Sequence, residues 1–102
     1  MDTPKSMHAL SSFCALIAED VRITPTHISL YVALLNAWEL EGCINPLLIT
    51  RDVVMRAAKI SARQTYNRAM HELNDYGYIG YAPSADPRVK SKVWMNEGED
   101  KR

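Results

Sequence analysis

The chain has 102 residues, 47% of them apolar and 24% charged, with twelve basic side chains against twelve acidic ones. A chain of this length makes one small domain that buries about 60–65% of its unfolded surface, which leaves no room for a second core. The composition excludes an intrinsically disordered chain, no apolar run approaches the roughly 20 residues of a membrane span, and the N-terminal MDTPKSMHAL lacks a signal-peptide pattern, so the cytoplasm is the expected compartment.

Residues 1–5 are polar, contain Pro4, and are expected to be flexible. From there Met7, Leu10, Cys14, Ile17 and Val21, with Phe13, recur at three- and four-residue steps and predict an amphipathic helix over 6–21. Its stripe serves either the domain's own core or a homodimer, and the sequence does not separate the two. A second helix opens at Thr24-Pro25-Thr26, where threonine caps and proline suits the first helical position. Ile28, Tyr31, Leu34, Leu35 and Trp38 are its expected buried stripe, closed by Gly42. His8 and His27 lack ligand-type neighbours and are expected in structural or solvent roles. Cys14 and Cys43 lack metal spacing and are expected as reduced, mostly buried small hydrophobes.

Leu47-Leu48-Ile49 is an apolar run of strand length ending at Thr50, the expected cap of a short helix over 51–59 with Val53, Val54, Ala57 and Ala58 inward. Ile60 then leads to the stretch SARQTYNRAMHELNDYG. Ser61 and Gln64 have capping-box spacing, and Gly77 suits the left-handed residue that ends a helix, so a helix is predicted over 61–76. Ala62, Tyr66, Ala69, Met70, Leu73 and Tyr76 fall on one side of it. Gln64, Asn67, Arg68, His71 and Asp75 fall on the other, with Arg63 at the edge. The bases Arg63 and Arg68 precede the acids Glu72 and Asp75, the reverse of what the helix dipole favours, and this suits a polyanion approaching the N-terminal half. Without such a partner, Arg68 and Glu72 make an ordinary i,i+4 surface pair. A short helix, a brief turn and a second helix form a helix-turn-helix pattern.

After Gly77 the pattern alternates through Tyr78-Ile79-Gly80-Tyr81-Ala82, breaks at Pro83-Ser84-Ala85-Asp86-Pro87, and resumes at Lys92-Val93-Trp94-Met95. This predicts a β-hairpin whose loop, 82–92, is a wing, with Leu47–Ile49 as a third strand. The closing EGEDKR, 97–102, is expected to be a disordered tail. The zero net charge hides a division. Residues 51–93 hold eight bases and four acids, a balance of +4, and the remainder of the chain holds four bases and eight acids, a balance of −4.

The segments HISLYVALLNAWE, NPLLITRDVVMRAAKISARQTYNRAMHELNDYGYI and GYAPSADPRVKSKVWM resemble a family of small bacterial winged helix-turn-helix proteins associated with mobile genetic elements. More remotely, the chain is similar to the N-terminal DNA-binding domains of phage and plasmid replication initiators. Where the family has a glycine before the serine matching Ser91, this chain has Lys90. The resemblance implies a mainly α fold with a small antiparallel β-hairpin: a single winged-helix domain over 6–96 with an extra N-terminal helix. It also implies DNA binding in transcription regulation, in replication initiation, or as a mobile-element accessory factor.

On the residues themselves, Arg63 and Arg68 suit guanine and Gln64 and Asn67 suit adenine in the major groove of double-stranded DNA. Arg51, Arg56, Lys59, Ser61 and Thr65 are expected at the backbone, with Arg88, Lys90 and Lys92 on the wing. No catalytic arrangement, metal cluster or phosphate-cradling glycine loop is present, so neither an enzyme nor a cofactor is expected. The competing reading is a protein–protein interaction module in a replication or transposition complex that reads no DNA sequence.

Overall fold

Among the described residues four α-helices and a three-stranded antiparallel sheet follow in the order α1 (Lys5–Ile17), α2 (Pro25–Leu40), β1 (Leu47–Ile49), α3 (Arg51–Ala58), α4 (Arg63–Asp75), β2 (Ile79–Ala82) and β3 (Ser91–Met95). The structure is a computed structural model that describes residues 3–96. The expected tail over 97–102 and the first two residues lie outside the described residues, and α1 begins at Lys5, inside the stretch expected to be flexible.

Helix α1 ends at Ile17, four residues earlier than its periodicity predicts. The backbone turns through Ala18–Asp20, and Val21 is 100% exposed. Its buried face is Ala9 and Phe13, with Leu10 and Ile17 half-buried beside them, whereas Met7 and Cys14 point outward. Phe13 decides this. Its ring stacks on Tyr31 of α2 with centroids 3.7 Å apart and planes 4° from parallel, and meets Tyr78 edge-on at 5.4 Å. On a helix Met7 and Cys14 lie roughly 100–120° from Phe13, so seating that ring turns them to the surface. Cys14 is therefore exposed, and Cys43 is half-buried, where both were expected to be mostly buried.

Helix α2 starts as its sequence predicts. Thr24 accepts from the His27 amide, Pro25 occupies the first turn, and Trp38 is fully buried. Its inward face carries the expected Tyr31, Leu34, Leu35 and Trp38 together with His27 and Leu30, and only Ile28 of the expected stripe is exposed. The α2 end is closed by consecutive left-handed residues, Gly42 (φ 85°) and Cys43 (φ 58°), with the Cys43 amide donating to the Trp38 carbonyl at 2.8 Å. Helix α3 buries Val54, Met55 and Ala58, while Val53 and Ala57, expected inward, face solvent. The hydroxyl of Ser29 donates to the Ala58 carbonyl and joins α2 to the end of α3.

Strand β3 is central in the order β1-β3-β2, with Leu47 opposite Val93 and Ile79 opposite Met95, so the expected third strand is present. Leu47, Ile49, Ile79, Val93 and Met95 face the helices, and Leu48, Lys92 and Trp94 face outward. Gly80 lies opposite Trp94, and a Cβ there would just touch the Trp94 side chain, at 3.4 Å from its Cβ. Asn45 continues the ladder with its side chain, donating to the Met95 carbonyl and accepting from the Met95 amide at 2.9 Å each.

Candidate nucleic-acid interface

Helix α4 is amphipathic as its sequence predicts. Tyr66, Ala69, Met70 and Leu73 are buried, and Arg63, Gln64, Asn67, Arg68, His71 and Asp75 are exposed. Burial raises the Tyr66 hydroxyl well above the ordinary tyrosine range. The capping box does not form. Ala62, in an extended conformation, takes the cap position one residue later than expected and supplies no side-chain acceptor. Ser61 is thereby left exposed, and the first turn of α4 has no side-chain cap. Thr50 likewise stands at the cap position of α3 without a side-chain cap bond.

Between the two helices Lys59 adopts the left-handed conformation at φ 63°, and Ile60 is buried with its amide donating to the Met55 carbonyl at 2.9 Å. The buried Ile60 anchors the turn, and Lys59 and Ser61 on either side project into solvent. Arg56, Lys59 and Arg63 thus follow one another around the junction of α3 and α4.

The hairpin loop, 83–90, holds itself together. The Ser84 amide donates to the Ser91 hydroxyl at 3.1 Å, the Arg88 amide to Asp86 Oδ1 at 2.9 Å, and the Val89 amide to the Asp86 carbonyl at 2.9 Å. Lys90 does not take a left-handed backbone. A cleft of about 210 Å³ between this loop and the start of α3 is lined by Arg51, Asp52, Asp86 and Lys90 among others. Lys92 departs from the expected wing. It lies opposite Leu48 and Ala82 on the outer face of the sheet, because alternation with the buried Val93 puts it there.

The ion pairs sort the charges over 51–93. Arg51 pairs with Asp52 at 3.4 Å, Arg88 with Asp86 at 3.2 Å, and Glu72 is engaged by His27 at 2.8 Å. Within 51–93, Arg56, Lys59, Arg63, Arg68, Lys90 and Lys92 have no acidic partner among the described residues, and Asp75 is the one acid of that stretch without a basic one. The expected surface pair of Arg68 with Glu72 is absent among the described residues. In place of it, Glu72 reaches across to α2.

That crossing borders a second cleft, about 410 Å³, between the start of α2 and the outer edge of α4, lined by Arg22, Thr24, Thr26, Thr65, Arg68 and Glu72 among others. Beside it Asp20 accepts from Arg22 Nε and Nη2 at 2.8 Å each and from the Tyr78 hydroxyl at 2.6 Å, and the Arg22 guanidinium lies 4.0 Å from the centre of the Tyr76 ring. The Arg22 guanidinium, with the Tyr78 hydroxyl, holds the Asp20 carboxyl well below the usual carboxylate range. Burial, with the bond to Asp20, pushes Tyr78 up to about 12.

No known protein family, curated protein or solved structure matches the chain. The weight therefore rests on the geometry. It brings Arg63, Gln64, Asn67 and Arg68 onto one exposed face, with Arg56, Lys59 and Ser61 beside its N-terminal end, Arg51, Arg88 and Lys90 at the loop, and Thr65 half-buried at the cleft. Arg22, Thr24, Thr26 and His27 were not expected near this face. Their approach to α4 is a long-range contact with no local periodicity to announce it. Among the described residues no group of three or more His, Cys, Asp or Glu side chains is placed to hold a metal ion, and no helix is long and apolar enough to cross a membrane.

Proposed function

We propose that the protein is a winged helix-turn-helix that binds double-stranded DNA sequence-specifically, with α3 and α4 as the helix-turn-helix and the 83–90 loop as the wing. The single observation that carries this reading is the surplus of unpaired bases, Arg56, Lys59, Arg63, Arg68 and Lys90, around the α3–α4 junction, the exposed face of α4 and the hairpin loop, with Asp75 the one unpaired acid of residues 51–93. A solvated surface with no polyanionic partner has no need of that imbalance. The first turn of α4, without a side-chain cap, adds the positive end of the helix dipole at the same place.

The major groove, about 12 Å wide, admits one helix with its N-terminal side chains at the base edges. Arg63, Gln64, Asn67 and Arg68 then read bases. Arg51, Arg56, Lys59, Ser61 and Thr65 contact the backbone beside the helix, and Arg88 and Lys90 carry the wing's charge. Lys92, on the outer sheet face, stands apart from the others. The biological setting is transcription regulation or an accessory role for a mobile element, with no catalytic step. A homodimer through α1 would have to use the outward Met7, Cys14 and Leu16, since Ala9 and Phe13 pack on the core.

Selection of bound duplexes from a random library tests the reading. Enrichment of a motif supports it, and a palindromic motif adds a two-fold dimer. A pool that stays random after repeated rounds contradicts sequence-specific binding.

A further inference from the structure

Arg68 and Glu72 stand one turn apart on α4, the spacing at which arginine and glutamate ordinarily meet. They do not pair. Glu72 Oε1 lies 2.8 Å from Nε2 of His27, and Arg68 has no acidic partner among the described residues. The imidazole is 3% exposed and held on both sides. Its Nδ1 accepts from the Thr24 backbone amide at 3.0 Å, which assigns the ring proton to Nε2, the nitrogen that donates to Glu72. His27 thus spans from the cap of α2 to the last turn of α4. Arg68, Glu72 and His27 all line the same cleft, and its other cation, Arg22, is already engaged by Asp20.

We infer that His27 is a positioning residue for DNA binding: by holding the Glu72 carboxylate against α2, it keeps the Arg68 guanidinium available to DNA. This rests on the DNA-binding reading of α4. With the tether cut, Glu72 is free to swing along its own helix and occupy Arg68, and its charge moves toward the incoming phosphates.

Two amide substitutions separate the tether from the cap, because each reproduces one ring nitrogen. Glutamine reaches the Nε2 position, so His27→Gln keeps a donor for Glu72 and gives up the acceptor for the Thr24 amide. Asparagine reaches only the Nδ1 position, so His27→Asn keeps that acceptor and releases Glu72. Binding of the full chain to a labelled random-sequence duplex at low salt, below each variant's Tm, reads the difference. His27→Gln is expected within about twofold of the wild type, and His27→Asn about three- to tenfold weaker. Adding Glu72→Gln to His27→Asn restores most of the loss, a gain larger than Glu72→Gln gives in the wild-type background, which a purely structural defect would not allow. Loss in His27→Gln as large as in His27→Asn, or no recovery with Glu72→Gln, overturns the tether and leaves DNA binding standing. A wild-type protein that binds no duplex overturns both.

Discussion

Asn74 Oδ1 accepts from the Tyr81 backbone amide at 3.0 Å, fastening the last turn of α4 to strand β2. The connection is short and stiff. Gly77 turns at φ 90°, and the Tyr78 amide returns to the Leu73 carbonyl at 2.9 Å. The angle between α4 and the hairpin is therefore set by a few specific bonds. Asn74→Ala leaves the Tyr81 amide without its acceptor and is expected to destabilise the fold by about 1–3 kcal/mol. Asn74→Asp retains the acceptor and most of the stability. Hydrogen exchange at the Tyr81 amide checks the assignment: it accelerates in the alanine variant and stays slow in the aspartate one.

The seat of α1 gives a contrast between inward and outward residues. Phe13→Ala removes the ring stacked on Tyr31 and is expected to lower stability by about 3–5 kcal/mol. Met7→Ala and Leu16→Ala, on the exposed side, are expected to change it by about 0.5 kcal/mol or less. Urea unfolding of the three variants measures this. Equal losses at all three would show that the outward face of α1 is covered in solution.

The sequence made most element positions legible where the signal was local. The Thr24-Pro25 start, the Leu47–Ile49 strand, Gly77 and the Pro83–Pro87 break were all readable, because caps, left-handed turns and period changes act over a few residues. The faces of α4 were readable as well, since Tyr66, Met70 and Leu73 repeat with the helical period. What stayed hidden is tertiary. The stripe on α1 was misplaced because Met7, Cys14 and Val21 share its spacing with Phe13, and only the ring of Tyr31 decides among them. The capping box at Ser61 and Gln64 has the right spacing but misses because the left-handed Lys59 and buried Ile60 delay the helix start. Glu72 looked like a partner for Arg68 until His27 arrived from 45 positions away.

The Asp20 cluster predicts a pH dependence. Bonds from Arg22 and Tyr78 hold the folded Asp20 carboxyl below its unfolded value, so its contribution is present at neutral pH and declines as the pH falls below the unfolded value of about 4 toward the lower folded one. Thermal unfolding across this acid window is expected to show a shallower loss of Tm in Asp20→Asn than in the wild type. On the alkaline side Tyr78 is raised to about 12, so the stability from its neutral hydroxyl holds below about pH 10 and is lost as the pH rises toward 12. Tyr78→Phe removes that contribution.

Roles within the interface separate by the kind of loss. Arg63→Ala and Asn67→Ala are expected to relax sequence preference, by about 1–3 kcal/mol at the base each one reads. Lys90→Ala is expected to weaken all sequences alike and to reduce the salt slope by about one unit or less. Competition between the selected duplex and scrambled duplexes measures both effects. Uniform weakening by all three would place Arg63 and Asn67 on the phosphates.

The most direct test of the central claim is the affinity of the wild-type chain for random duplex DNA as a function of salt. With Arg56, Lys59 and Lys90 on phosphates, joined by Arg51 and Arg88, the logarithm of the binding constant is expected to fall with the logarithm of salt concentration at a slope of roughly −3 to −5. Binding that is undetectable at low salt, or that ignores salt, would contradict the account.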